Sequence, residues 1–478
     1  GIKPLYWTKN SEAIGWSSEV KALADKFDIE LDHLRTVFSY ASYPDAYRNK
    51  TLFKNIDIIE PGSYLEIDKK NNIKSKKYYS ILDDLDINYY NELSSLDEKS
   101  LLRIFETKLN NSVESMLMSD VPFGSFVSGG LDSNLITAIA KNYNQNIKLF
   151  SSNVIGEHSE IEYAKILSKE LQSELFISDF NEIEFFKYFS KCTYHYEVPI
   201  LCHPNSVPFS RVSSLANQKR IKPVLTGEGA DELFLGYPMD IFWGKYSSAF
   251  KAPSKFFNSI YNISPSIKKL LFPKDDSIPS KSLQLLLEID RNHFNDNALI
   301  KLENFPKKER KLSLRSLNLI NYHLHSLLHR NDRMGMMFSV ESRFPFLDES
   351  LIKFGINLPS KWKLKTSLKF RDKYTPFVES KRLIRALGKK YLPKVLYGRP
   401  KRGFPVSPLN KKSVSYKLFN DGYLENILKL NKSDKIKIVN GSSSNIYRLI
   451  SIDTFGRLFH NKQNIDDVSQ NILTNIEN

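Results

Sequence analysis

The sequence predicts an α/β protein built on a parallel sheet and completed by a mainly helical second half. Three observations carry this. Between residues 96 and 226, strand-like and helix-like segments alternate at βαβ spacing, which implies parallel strands joined by crossover helices. Two of those strands run straight into glycine-rich turns, Ser128-Gly129-Gly130-Leu131-Asp132-Ser133 and Thr226-Gly227-Glu228-Gly229-Ala230-Asp231-Glu232. Residues 240–478 read mainly as helix, with no legible motif in 240–310.

Residues 1–80 come first and read as short strands around one helix. Ile2–Trp7 and Ile14–Glu19 are strand-like, and Asp28–Ala41 has helical spacing with Leu31, Leu34, Val37 and Phe38 on one side. Pro61-Gly62 is a turn before the strand-like Ser63–Ile67. Residues 81–95, rich in Asp, Asn and Ser, read as a linker. The alternating region then runs through a long amphipathic helix (Leu96–Met118), a strand (Phe123–Val127), a helix (Leu131–Lys141) and a strand (Ile147–Val154). A helix (Glu160–Leu171), a strand (Ser173–Ile177), a helix (Asn181–Tyr194) and a short strand (Pro223–Thr226) follow. Such sheets bind ligands at the carboxyl ends of their strands.

The chain has 478 residues, 41% of them hydrophobic and 26% charged, which excludes collagen, coiled coil and wholesale disorder. No apolar run approaches a membrane span, and Gly1-Ile2-Lys3-Pro4 does not start a secretory signal. Two cysteines, Cys192 and Cys202, make neither a disulfide framework nor a four-cysteine zinc site. A reducing, cytoplasmic setting is the simplest fit. The net charge of +15 points to a polyanion of some kind. Nucleic acid is disfavoured, because no aromatic-interleaved basic motif or helix-turn-helix is present.

Ser128–Ser133 has the composition of an anion cradle. Gly129 and Gly130 let backbone N–H groups approach closely, the helix N-terminus adds its dipole, and Ser128 and Ser133 supply hydroxyls. No Lys follows at Walker-A spacing. Asp132 beside a phosphate cradle makes sense with a metal ion between them, and Asp231 in the second turn can share one Mg²⁺ held against a triphosphate. The window Lys381–Arg402 carries nine Lys or Arg and no acid. Most of these read as a solvated helical face. Arg399-Pro400-Lys401-Arg402-Gly403-Phe404 differs, because Pro and Gly pin a loop around Lys401, which can then act as a point charge on a phosphate. Arg330–Met334 and Glu341–Asp348 mix charges with apolar residues, as either a packed helix end or a substrate contact.

Ser128–Ser133 resembles the pyrophosphate loop of the N-type ATP pyrophosphatases. Together with Thr226–Tyr237, Glu341–Asp348, Arg399–Phe404 and the helix-like tail Ile446–His460, it is similar to the glutamine-hydrolysing asparagine synthetase family. Gly1–Tyr6, Ser18–Leu23 and Glu60–Tyr64 resemble the last third of that family's Ntn-type αββα glutaminase domain. The resemblance implies a partial glutaminase over 1–80, a linker over 81–95 and an adenine nucleotide α-hydrolase-like synthetase domain over 96–478.

The implied reaction is ATP-dependent adenylation of a carboxylate with release of pyrophosphate, followed by attack of ammonia to give an amide and AMP. ATP and Mg²⁺ are the implied cofactors. Small molecules are the implied partners: aspartate or another carboxylate, with glutamine or ammonia. A homodimer is compatible with the sequence, and no membrane or nucleic-acid partner is expected. Carried over by motif, Ser128, Gly129, Gly130, Asp132 and Ser133 hold the pyrophosphate end, Asp132 and Asp231 bind the metal, and Val154 and Gly227 line the adenine site. Glu228 orients or deprotonates ammonia, Lys401 stabilises the adenylation transition state, and Lys381 is its partner on the phosphates. Glu197, His203, Asn205, Asp332, Glu341 and Arg343 are assigned to the acceptor side.

The departures from the family pattern also carry expectations. That family's glutaminase uses an N-terminal Cys, whereas residue 1 here is Gly. The front of the domain is expected upstream of Gly1, and residues 1–80 alone are expected to fold poorly for want of half a core. Tyr196-Glu197-Val198-Pro199 stands where an Asp-Glu-Pro-type segment is usual, Phe234-Leu235-Gly236 where Phe-Gly-Gly is, and Glu341-Ser342-Arg343 where Glu-Val-Arg is. Aspartate is therefore the favoured acceptor, with a carboxylate of surface-polysaccharide or natural-product biosynthesis as the alternative.

Overall fold

The computed structural model describes residues 1–39, 50–154, 159–201, 203–237, 293–366, 378–399, 409 and 413–477. Lys401 and Cys202 lie outside them, as does the uninformative stretch 240–292. The N-terminal piece holds β1 (Tyr6–Lys9), β2 (Ile14–Ser17), α1 (His33–Phe38), β3 (Ile56–Ile58), β4 (Ser63–Ile67) and β5 (Ile73–Lys77). Strands β2-β1-β3 form an antiparallel sheet in which Tyr6 faces Ser17 on one side and Ile58 on the other, and β4 and β5 make a separate hairpin. Helix α1 is shorter than its apolar spacing suggests. Asp32 caps it by accepting from the Arg35 N–H at 3.0 Å, and Leu31, now outside the helix, bridges to Phe53 instead.

Residues 81–95, read from the sequence as a linker, carry regular structure. Helix α2 (Ile87–Ser95) forms there, with Asp86 accepting from the Asn88 N–H at 2.9 Å, and Leu82, Tyr90 and Leu93 are buried. The Asn357 side chain clamps the segment, accepting from the Asp86 N–H and donating to the Asp84 carbonyl, both at 2.8 Å. Asp, Asn and Ser mark helix caps as readily as they mark linkers, and here Asp86 is a cap.

Next come α3 (Glu98–Met116), β6 (Gly124–Phe126), α4 (Leu131–Tyr143), β7 (Lys148–Val154), α5 (Ile161–Leu171), β8 (Leu175–Phe180), α6 (Glu182–Tyr196) and α7 (Ser206–Gln218). The chain continues through β9 (Pro223–Leu225), α8 (Ala230–Leu233), α9 (Lys307–Asn318), α10 (Leu324–Met336), β10 (Glu341–Arg343), α11 (Glu349–Asn357), α12 (Arg382–Tyr391) and α13 (Ser443–Phe459). Helix α3 shows why these segments fold as they do. Asp97 caps it at 2.7 Å to the Ser100 N–H, and Leu101, Phe105, Leu109 and Val113, four residues apart, are all fully buried. Phe105 then packs between Phe234 and Phe354, with ring centroids 5.2 and 5.9 Å away.

The central sheet has the order β10-β9-β6-β7-β8, and every pairing is parallel. The chain runs outward from β6 through β7 to β8, then returns to the other side of β6 for β9 and β10. The strand order therefore reverses between β6 and β9, and a crevice opens beyond their carboxyl ends. Both glycine-rich turns lie at that reversal. No helix among the described residues is long and apolar enough to cross a membrane.

The N-terminal piece does not stand apart. Tyr6, Val20, Leu23, Phe53 and Ile56 belong to one apolar cluster with Phe185 and Phe189 of α6 and Ile452 and Phe455 of α13. Residues 1–80 therefore share an apolar core with α6 and α13.

Candidate active site

The crevice between β6 and β9 is a cavity of about 450 Å³. Its walls include Ser128, Gly130, Asp132, Ser133, Gly227, Glu228, Asp231 and Lys381, together with His203 and Asn205. Motifs separated by up to 250 residues thus meet in one place.

The first turn is built for close approach. Gly129 has a left-handed φ of +74°, and a Cβ there would stand 2.7 Å from the Glu160 carbonyl oxygen, so only glycine fits. A Cβ on Gly227 would stand 2.7 Å from the Ser133 nitrogen, which shows how tightly the two turns are pressed together. Ser128 and Ser133 meet hydroxyl to hydroxyl at 3.3 Å, and the Gly130 N–H reaches the Ser128 hydroxyl at 3.3 Å. These are long bonds at the N-terminus of α4, readily exchanged for an anion's oxygens.

Asp132 and Asp231 are both buried and face each other across the ammonium of Lys381, which lies 2.5 Å from Asp132 Oδ2 and 2.5 Å from Asp231 Oδ1. The second Asp132 oxygen, Oδ1, is buried without a hydrogen bond. Among the described residues no three His, Cys, Asp or Glu gather to hold a metal on their own. Two carboxylates beside an anion cradle still suit Mg²⁺, which characteristically takes one or two carboxylates and completes its octahedron with phosphate oxygens and water.

Glu228 pairs with the buried Arg330 guanidinium, and the Asn331 side-chain amide approaches the same oxygen at 3.4 Å. Arg330 Nε is buried without a hydrogen bond, and its guanidinium carbon lies 5.4 Å from the centre of the Phe209 ring. Glu232 lies behind the wall. Burial, then Asp231 and Glu228, push its carboxyl well up, and the Tyr237 hydroxyl donates to it at 2.8 Å. His203 meets Ser326 Oγ at 2.8 Å, and because Ser326 already donates to the His323 carbonyl, His203 Nε2 carries the proton. Burial, with Arg330 nearby, pulls His203 down to about 3, so the ring is neutral.

Among the described Lys and Arg residues of the basic window, three are not solvated. Lys381, Arg385 and Arg399 are buried and line the cavity. Arg385 donates through Nη1 to the carbonyls of Tyr397 (2.7 Å) and Arg399 (2.8 Å), and Arg399 pairs with Glu160 and reaches the Gly129 carbonyl. Arg330, Tyr237 and His323 are lining residues that received no role from the sequence. Arg330 was marked only by the mixture of charged and apolar residues around it.

Other sequence-assigned residues lie elsewhere. Val154, expected at the adenine, ends β7 and packs against the cluster shared with the N-terminal piece. Glu197, expected at the acceptor, is buried with a left-handed φ of 57° and accepts from the N–H groups of Val20 (3.0 Å) and Lys21 (2.8 Å). Asp332 pairs with Lys3 at 2.6 Å. Both are ties between residues 1–80 and the rest of the chain, and neither lines the crevice between β6 and β9. Arg343 donates to the carbonyls of Met116 (2.8 Å) and Met118 (2.7 Å) at the end of α3, and its neighbour Glu341 is half-buried. Arg343 thus closes a helix end.

A family model described as asparagine synthase matches residues 105–463, and one described as a glutamine amidotransferase domain matches residues 1–79. Asparagine synthetase [glutamine-hydrolyzing] 1 of Bacillus subtilis is 28% identical over 438 residues, covering 85% of this chain and 64% of its own length. A putative asparagine synthetase of Mycobacterium tuberculosis is 26% identical over 439 residues, 85% of this chain and 63% of its own. Asparagine synthetase 3 of Bacillus subtilis is 25% identical over 502 residues, 98% of this chain and 74% of its own. The chain thus spans less than two thirds of the first two relatives' lengths. With the pyrophosphate-type turn, the paired aspartates and the acidic second turn on one crevice of a parallel sheet, the chain belongs to the asparagine synthase family.

Proposed function

We propose that this chain is an ATP-dependent amide-forming ligase. The carrying observation is that Ser128–Ser133, Asp132, Asp231, Lys381 and Glu228 converge on a single cavity at the sheet's reversal point. The β6 turn and the α4 N-terminus bind the pyrophosphate end of ATP. Asp132 and Asp231 would hold Mg²⁺, which neutralises phosphate charge during the displacement. The substrate carboxylate attacks the α-phosphorus, forming an acyl-adenylate and releasing pyrophosphate. Ammonia then attacks the acyl carbon and AMP leaves. Glu228, beside Arg330, is placed to orient the incoming amine and take its proton. Lys401 is proposed as the charge-stabilising partner of Lys381.

Aspartate is the proposed acceptor, giving asparagine, and the alternative is another carboxylate handled by the same chemistry. Pyrophosphate release measured with aspartate and with a panel of uronates and peptides separates them. Release that rises with aspartate is the expected result, and aspartate-independent turnover with another acid excludes it.

Glutamine is the proposed nitrogen source. Cys192 does not serve as the nucleophile: it is buried against Ser210, and burial pushes its thiol up to about 12. The 478-residue chain is expected to make amide from ammonium and to release no glutamate from glutamine. A coupled glutamate assay checks this, and robust glutamate release overturns it.

A further inference from the structure

We propose that Lys381 is a resident counter-ion that keeps divalent metal from Asp132 and Asp231 until a nucleotide's phosphates draw it away, so that metal and nucleotide enter together. The inference rests on the reading of those aspartates as the metal pair. Its own ground is the bridge: one ammonium 2.5 Å from an oxygen of each carboxylate. Lys381 is 2% exposed and the aspartates 8% and 9%.

The surrounding chain is shaped around this contact. Lys381 heads α12 with a left-handed φ of 57°, a conformation that an unbranched side chain adopts at a cost. A Cβ on Gly236 would stand 1.8 Å from Asp231 Oδ1 and 2.3 Å from Lys381 Cε, so residue 236 must be glycine for the bridge to form.

A dication joining the same two oxygens contends with the ammonium for one space. Mg²⁺ sits at about 2.1 Å from its ligands and surrenders water reluctantly. In a partly desolvated crevice already lined by Arg330, Arg385 and Arg399, adding two positive charges beside the ammonium is unfavourable. A triphosphate reverses the balance. Its oxygens give the lysine a new partner within reach of a flexible four-carbon stem, and both aspartates are then free for the metal. Asp132 Oδ1, buried and unbonded, is a ready additional acceptor.

Manganese binding to the full 478-residue chain, read by electron paramagnetic resonance with and without α,β-methylene ATP, tests this. Wild type is expected to hold protein-bound Mn²⁺ at least tenfold more tightly when the analogue is present. Lys381→Met is expected to hold Mn²⁺ without nucleotide at least tenfold more tightly than wild type, and to gain thermal stability from Mg²⁺ alone. Lys381→Arg, which keeps the charge, is expected to stay nucleotide-dependent. Equal Mn²⁺ affinity of wild type with and without the analogue overturns the proposal, and this measurement decides even if Lys381→Met does not fold. Asp132→Asn separates the two levels: analogue-dependent Mn²⁺ binding that survives it removes Asp132 from the metal pair itself.

Discussion

Asp132→Asn is expected to lower pyrophosphate release about a thousandfold while the chain keeps its fold. Removing a single preorganised charge-stabilising group from a site of this kind typically costs 10² to 10³ in rate, and Asp132 serves two such functions. It is one of two proposed metal ligands, and it holds the Lys381 ammonium at 2.5 Å. Asparagine is nearly isosteric, so the contact of Gly227 with the Asp132 backbone and Cβ is preserved. Lys381 keeps Asp231 as a partner, so no buried charge is stranded. Pyrophosphate release followed by a coupled phosphate assay, with circular dichroism as the control for folding, measures the loss. Activity within tenfold of wild type removes Asp132 from the chemistry.

Arg333→Met is expected to destabilise the protein by about 3–5 kcal/mol, the usual cost of stripping one partner from a buried ion pair. Arg333 is 2% exposed. Its guanidinium lies 3.2 Å from Glu197 and 3.6 Å from Glu19, donates to His329 at 3.3 Å, and stands 5.2 Å from the Tyr6 ring centre. Removing it leaves the Glu197 carboxylate buried against two backbone N–H groups, with the Lys21 ammonium at 3.4 Å as its remaining cation. The double variant Arg333→Met with Glu197→Gln is expected to recover part of the loss, because neither charge is then stranded. Chemical denaturation of the two single variants and the double gives the coupling as a cycle. Single-variant losses below 1 kcal/mol would show that the pair is not a structural tie.

The sheet was legible where its strands were apolar and its helices amphipathic. Lys148–Val154 and the helices on either side lie within two residues of their expected ends, because the buried Leu149 and Phe150 mark the strand and the helices beside it carry apolar faces. β10 was not legible. Its three residues are Glu341, Ser342 and Arg343, and only Ser342 is buried, so nothing in its composition marks the fifth strand. The two glycine turns were readable because their chemistry is local. The acceptor side was not, since Glu197 and Asp332 carry charges that look alike whether they meet a substrate or another domain. Only the three-dimensional neighbours, Val20, Lys21 and Lys3, distinguish the two. Arg385 was missed for a related reason: a basic residue on a helix reads as solvated until a buried carbonyl cluster is seen beneath it.

The apolar cluster shared by the two ends of the chain has a consequence for synthesis. Phe53 packs edge-on against Phe455 and Phe459, with centroids 5.8 and 5.3 Å away. Those partners leave the ribosome some four hundred residues after it. At translation rates of about 5–20 residues per second, the underside of the first three strands waits roughly 20–80 s for its covering. Pairings so distant in sequence also form slowly, because loop closure must come before any packing gain. The packing around Phe53 is thus completed only after α13 has been made, long after the strands beside it.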